Sequence, residues 1–225
     1  MTSKKVEKQA TFEEECDVQE KIIAKRMKQP MILARYQYGI QEIMAKLQYI
    51  NADLTEQLGR PVVRNTLSRI KTAHSICKKL ERKELELSFD SAVENLNDIA
   101  GVRVVCFFCD DIYRIEKAIR EQKDIEIIKE KDYVKKPKKS GYQSIHLIVD
   151  VPIIYNSVTE DVRVEIQIRS FAMDYWAELD NQMCYKKSAG ELENIEREIR
   201  NYSDVMAKMD GKMLELRKKI EAMTN

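Results

Sequence analysis

The sequence predicts a mixed α/β fold, a β-sheet flanked by helices with a long helix at each end of the chain. Three observations carry this. Apolar residues at 36, 40, 43, 47, 50 and 54 alternate steps of four and three, which lays one stripe along a helix. The middle of the chain changes period to short runs rich in Val and Ile, arranged strand–helix–strand–strand–strand–helix, the order of a sheet with helices packed on it. From Leu192 to Met223 the three-and-four stepping returns without a break.

In order along the chain, residues 1–28 are charged and read as a frayed or helical arm. The stripe from Tyr36 to Leu54 forms a helix that Gly59-Arg60-Pro61 ends. A second helix is expected over 66–83, with Leu67, Ile70, Ile76 and Leu80 as its apolar positions. Val102–Phe108 is β-branched and aromatic, of strand length, and Asp110-Asp111 then opens a helix to Ile119. Ile125–Lys129, Ile145–Val151 and Val162–Ile168 are strands, and Phe171–Tyr185 is a helix. The tail seam of Leu192, Ile195, Ile199, Tyr202, Met206, Met209, Met213, Leu216, Ile220 and Met223 spans more than four heptads. Its methionines make it an adaptable surface. It either packs back on its own domain or associates with a second copy. The expected organisation is an arm at 1–60, a catalytic-size α/β domain at 61–187 and an oligomerisation helix at 188–225.

Composition narrows the class. The 225 residues hold 39 Lys and Arg against 38 Asp and Glu, a net charge of +1, with 44% hydrophobic and 34% charged side chains. Six Gly and four Pro are too few for a collagenous or linker-like chain. No apolar run is long enough to cross a membrane, and no signal-peptide pattern opens the chain. The five Cys, at 16, 77, 106, 109 and 184, are odd in number and irregularly spaced. They are not a disulfide framework, and a reducing, cytoplasmic setting fits them. Cys106 and Cys109 lack the second pair that a zinc site needs, and the chain has only two His.

Near-neutral total charge hides local concentration. Residues 131–139 carry five Lys against one Asp, are broken by Pro137 and Gly141, and are followed by Tyr142. A basic loop ending in an aromatic suits a polyanion with a flat base, although a solvated charged hairpin has the same composition. A second basic group, Arg69, Lys71, Ser75, Lys78 and Lys79, falls on neighbouring turns of the expected second helix and could grip a triphosphate or be an ordinary basic face. Two acids stand out. Asp98 precedes the strand that begins near Val102, and Glu165 shares one strand face with Arg163, Gln167 and Arg169. Two carboxylates beside phosphates suit Mg²⁺.

Four stretches resemble, in order and spacing, the synthetase domain of RelA/SpoT-type enzymes: RIKTAHSICKKLERK, NDIAGVRVVCFFCDDIYRI, KDYVKKPKKSGYQSIHLIV and VEIQIRSFAMDYWAELDNQMCYK. The match covers roughly 64–187, and the chain's length is similar to the small alarmone synthetases of that family. The resemblance implies a nucleotidyltransferase-like sheet and (p)ppGpp synthesis, in which pyrophosphate moves from ATP to the 3′-hydroxyl of GDP or GTP (GMP being a third acceptor) and AMP is released. Carried over by position, it implies that Arg69 and Arg103 sandwich the adenine while Lys71, Ser75 and Lys79 hold the ATP phosphates. Asp98 and Glu165 bind Mg²⁺, with Glu165 also the base for the 3′-hydroxyl. Tyr142 stacks on guanine, and Lys131, Lys138 and His146 contact the acceptor phosphates. Gln167, Arg169, Asp174 and Ala177 complete the acceptor side.

This sequence departs from the family pattern in two places. Asp180-Asn181 stands where Glu-His is frequent, and Gln143 where Arg often follows the stacking Tyr. With two His and no His-Asp dipeptide, the hydrolase site of the long members has little to be built from. The resemblance also implies a homotetramer, with allosteric (p)ppGpp or single-stranded RNA as further ligands. The alternative function is a guanine-nucleotide or single-stranded-RNA binding module without catalysis.

Overall fold

Two periods build the molecule, and each appears where the sequence changes. The computed structural model describes residues 17–184 and 192–224. The first 16 residues of the charged arm and the boundary expected at 187–188 lie outside them. Helix α1 (17–27) leads into α2 (Pro30–Leu58), with proline in the first turn, where its missing N–H costs nothing. The expected stripe is the face that α2 buries: Tyr36, Ile40, Ile43, Leu47 and Ile50 all lie in the core.

The second expected helix does not form as one piece. Val63–Ile70 is a strand, β1, and only Ala73–Arg82 is helical, α3. β1 extends the sheet by pairing antiparallel with β2 (Ala100–Cys106), from Val63↔Cys106 to Ile70↔Ala100. A backbone bond from Lys71 N–H to Ile99 C=O continues that pairing. Ladder pairing with β2 outweighs the helical spacing of Leu67 and Ile70. Thr72 then starts α3, its hydroxyl accepting from the Ser75 N–H at 3.3 Å. Arg69 therefore sits on a strand and Lys71 in the connection, rather than at the start and along one face of a helix.

The remaining elements are α4 (Phe89–Asn95), α5 (Asp111–Arg120), β3 (Glu126–Asp132), β4 (Ile145–Tyr155), β5 (Val158–Ser170), α6 (Phe171–Cys184) and α7 (Leu192–Thr224). The sheet order is β1-β2-β5-β4-β3, with β2 and β5 parallel and the other neighbours antiparallel. This is the mixed sheet flanked by helices that the sequence predicts. Strand alternation assigns its faces. Val162, Val164, Ile166 and Ile168 of β5 join Ala100, Val102 and Val104 of β2 and Ile145, Leu147 and Val149 of β4 in the main core, with α2 and α5 against them. Gly39 permits that approach, since a Cβ there would lie 2.8 Å from Val162 Cγ1. The opposite face carries Arg103, His146, Glu165, Gln167 and Arg169.

α7 packs back on its own domain, but through only part of the expected seam. Ile199, with Ile195 and Met206 partly buried, packs on Trp176 and Ala177 of α6. The rest of the inward face is polar: Ser203, Asp210 and Arg217, spaced by seven, are all buried. Arg217 donates to Asp110 at 2.8 and 3.1 Å, beside Asp111, which is 0% exposed and also held by Arg60 and Arg114. The apolar seam beyond Met206 points outward, with Met209 62% and Met223 85% exposed.

Candidate active site

The register places the chemistry in two adjacent rows across the second sheet face. One row reads Arg69, Gly101, Glu165 from β1 to β5. The next reads Leu67, Arg103, Gln167, His146, Lys131 from β1 to β3. Strands lie about 4.8 Å apart, so side chains from five strands reach one surface within a nucleotide's length. An open cavity of about 270 Å³ lies between Arg69 and Arg103, with Leu67, Gly101, Glu165 and Gln167 in its walls.

On the β1 side, Asp98 is buried, and its Oδ2 accepts from Lys71 Nζ at 2.8 Å and Lys79 Nζ at 2.6 Å. Burial pushes the Asp98 carboxyl up, but the two ammonium groups outweigh it and hold it below the usual carboxylate range. The other oxygen, Oδ1, is buried with no hydrogen-bond partner. Ser75 is exposed in the first turn of α3, on the same stretch of chain. Thus Lys71, Lys79 and Asp98 are brought together through a strand–loop–helix junction, with Ser75 one turn before Lys79 on α3.

On the other side a continuous hydrogen-bonded chain ends on Glu165. Arg169 Nη2 donates to the Tyr142 hydroxyl at 2.6 Å, and that hydroxyl pairs with His146 Nε2 at 2.8 Å. His146 Nδ1 lies 3.0 Å from Glu165 Oε1, and Gln167 donates to Oε2 at 2.8 Å. With Glu165 ionised, one tautomer satisfies every member: Tyr142 O–H donates to Nε2 and Nδ1–H donates to the carboxylate. Burial raises the Glu165 pKa, while the hydrogen bonds from His146 and Gln167 outweigh that and leave it lowered. Asp174, 5% exposed, accepts from both Arg103 (3.3 Å) and Arg169 (3.2 Å) through one oxygen, joining the two sides.

The basic loop between β3 and β4 is organised. Asp132 accepts from the N–H groups of Val134 and Lys135, and Tyr133 N–H bonds Ser144 C=O. Lys138 Nζ lies over the Tyr133 and Tyr142 rings at 4.8 and 4.7 Å, and Arg169 lies 5.0 Å from the Tyr142 ring centre. Lys131 is exposed on β3 opposite His146. Ala177 is packed with Trp176, Ile199 and Tyr142. Asn181 lines a separate open cavity of about 510 Å³ beside Arg103 and Tyr175. Cys106 is buried at the end of β2, and burial pushes its thiol well up; burial pushes Cys109 up to about 11.

Sequence reasoning missed Tyr133, whose ring edges approach Tyr142 and His146 at 6.1 and 5.4 Å between centres. It also missed the role of α7's polar stripe, although the seven-residue spacing of Ser203, Asp210 and Arg217 was a readable signal.

A region found in RelA and SpoT proteins matches residues 68–190. The GTP pyrophosphokinase YwaC of Bacillus subtilis is 34% identical over 186 residues, covering 83% of this chain and 89% of that protein. The chain belongs to the RelA/SpoT family. A second relative, the GTP pyrophosphokinase YjbM of Bacillus subtilis, is 31% identical over 189 residues, 84% of this chain and 88% of its own length. The small alarmone synthetase 1 of Bacillus subtilis, solved with its product pppGpp, superposes with a TM-score of 0.76 at 31% identity, over 86% of this chain and 98% of that one. With nearly their full lengths matched, this RelA/SpoT member is of the small alarmone synthetase type.

Proposed function

We propose that the chain is a GTP pyrophosphokinase that makes (p)ppGpp, in the cytoplasm, from ATP and GDP or GTP. The observation that carries this reading is the placement of Asp98 and Glu165 between two cationic groups, Arg69, Lys71, Lys79 and Arg103 on one side and Lys131, Lys138 and Arg169 on the other, with His146 bonded to Glu165. In the reaction the acceptor's 3′-oxygen attacks the β-phosphorus of ATP, the bond from that phosphorus to the α–β bridging oxygen breaks, and AMP leaves. The 3′-hydroxyl proton goes to Glu165. His146 and Gln167 keep that carboxylate ionised, so it starts in the proton-accepting form.

The donor side holds ATP by its base between Arg69 and Arg103 and by its phosphates at Lys71, Ser75 and Lys79. The acceptor side holds guanine on Tyr142, with Lys131, Lys138 and His146 toward the phosphates and Gln167, Arg169, Asp174 and Ala177 shaping its wall. Most of the protein's contribution is positioning, which can be worth about 7–11 kcal/mol for two reactants aligned for in-line attack.

Mg²⁺ fits the residues present. Asp98 has a buried, unpartnered oxygen, and Glu165 is close enough for the two charges to influence each other. Among the described residues no cluster of three or more His, Cys, Asp or Glu is poised for a metal. Two carboxylates completed by phosphate oxygens are the usual way Mg²⁺ is held beside nucleotides. Bound there, the ion would neutralise charge on the transferring phosphates.

The test is incubation with ATP and Mg²⁺ and, separately, GMP, GDP or GTP, with products resolved by anion exchange. AMP and a 3′-pyrophosphorylated guanine nucleotide should form in equal amounts; absence of that product with all three acceptors overturns the assignment. The outward apolar seam of α7 supports self-association, a tetramer in this reading. Replacing Met209 and Met213 together by Glu should lower the assembly's mass in light scattering, and a monomeric wild type would refute the seam's role.

A further inference from the structure

α7 reaches the acceptor loop directly. Arg200 donates from Nη1 to the Lys139 carbonyl at 2.6 Å, and buried Ser203 donates from Oγ to the Gly141 carbonyl at 2.6 Å. These carbonyls belong to the last residues before Tyr142. Gly141 has φ +94°, and a Cβ on it would lie 2.6 Å from Ser203 Cβ, so helix and loop backbone are in closest approach at this point. The Tyr142 ring itself packs beside Trp176, Ala177 and Ile199, the small core that joins α6 to α7.

We propose that α7 is a positioning element of the acceptor site, with Arg200 and Ser203 clasping the end of the basic loop and so setting the Tyr142 ring. This rests on the reading of Tyr142 as the guanine-stacking residue. The physical need is plain from the loop's composition. Five Lys within residues 131–139 repel one another, and the segment from Tyr133 to Ser144 has no regular element to hold it. Its own turn bonds, Gly141 N–H to Lys138 C=O and Lys138 N–H to Tyr142 C=O, fix its shape but not its place relative to the sheet. The clasp supplies the place. α7 can serve as a fixed platform because it is tied elsewhere: Trp176 Nε1 donates to the Ile199 carbonyl at 3.0 Å, Ser170 donates to Asp210, and Arg217 pairs with Asp110. Arg200 and Ser203 touch neither row of site residues, so they act through the loop.

The experiment is steady-state kinetics with each nucleotide varied in turn, on full-length wild type, Ser203→Ala, Arg200→Ala, Arg200→Gln, the Ser203→Ala/Arg200→Ala pair and Tyr142→Ala, each with an unchanged thermal midpoint within a few degrees. Loss of one hydrogen bond should raise the acceptor KM about threefold and loss of both about tenfold, with ATP KM and kcat within about twofold of wild type. Arg200→Gln keeps an N–H donor and should restore most of the acceptor KM lost in Arg200→Ala. Equal rises in both KM values, or an unchanged acceptor KM in the pair, overturns the clasp. So does a silent Ser203→Ala together with equal losses in Arg200→Gln and Arg200→Ala, since charge and not attachment would then be at work. An unchanged acceptor KM in Tyr142→Ala overturns instead the acceptor-site reading beneath it.

Discussion

The two sides of this site, which we propose hold the donor and the acceptor nucleotide, are built by different means. Arg69, Arg103 and Glu165 stand on paired strands, where register alone sets their spacing, and Lys71 and Lys79 are locked on Asp98 from a short connection and a capped helix. Tyr142 and Lys138 stand on a loop whose position depends on bonds from α7, some 60 residues away in sequence. The donor side is thus a local consequence of strand pairing, and the acceptor side a tertiary one. Loops held by a few long-range bonds open more easily than sheet interiors. On the proposed assignment, the difference gives precision to the nucleotide that gives up its pyrophosphate and adaptability to the one that receives it.

Five substitutions would break or sharpen that contrast. The largest effect belongs to the residue both sides share. Glu165→Gln removes the proton acceptor and should lower kcat by about 10³-fold. Calorimetric affinities for GDP and for an ATP analogue should stay near wild type, and near-normal turnover would remove Glu165 from the mechanism. Next come Arg103→Ala and Tyr142→Ala, each expected to raise one KM by about tenfold or more through loss of stacking. Arg103→Ala should act on ATP and Tyr142→Ala on the acceptor; a crossed result would mean that Asp174, which holds both Arg103 and Arg169, merges the two sides.

Arg217→Met tests the platform beneath the loop. It leaves Asp110 with Arg114 alone and takes a cation from buried Asp111, at a cost of about 3 kcal/mol in urea unfolding. Burial pushes Asp110 up, but Arg217 and Arg114 outweigh it and lower its pKa. The stability this pair contributes is therefore present above the ordinary Asp range, near pH 4, and lost as pH falls through the lower folded value. The difference between wild type and variant should shrink at acid pH.

The smallest effect is at Asp210, whose carboxyl burial raises, with Ser170 partly opposing and Asp110 adding to the rise. A raised folded pKa means stability that is full below the unfolded value and is lost as pH rises through the folded one. Asp210→Asn should therefore stabilise the protein by about 1 kcal/mol near neutral pH and not at all below pH 4. A neutral-pH loss in thermal denaturation would show that the ionised carboxylate is needed to hold Ser170, which also caps α6 by accepting from Met173 N–H.

Much of this architecture was legible because its periods are strict. The α2 stripe, the Val- and Ile-rich strands and the shared face of Glu165, Gln167 and Arg169 follow from spacing, since side-chain direction along a helix or strand is fixed by backbone geometry. The order of the motifs placed the family before any contact was visible. β1 was misread because Leu67 and Ile70 fit a helical step while their real partner, β2, lies some 30 residues on.

Sequence by itself determined most of the elements, the two basic groups and the two acids, because those depend on neighbours within a few residues. Only the tertiary structure decided that β1 belongs to the sheet, that Asp174 joins Arg103 to Arg169, and that α7 turns its polar stripe inward to the acceptor loop and its apolar seam outward. An apolar helix face carries no label for which surface it meets. That choice was made by Ser203, Asp210 and Arg217, whose partners on the Gly141 loop, Ser170 and Asp110 are brought within bonding distance only once the sheet has folded.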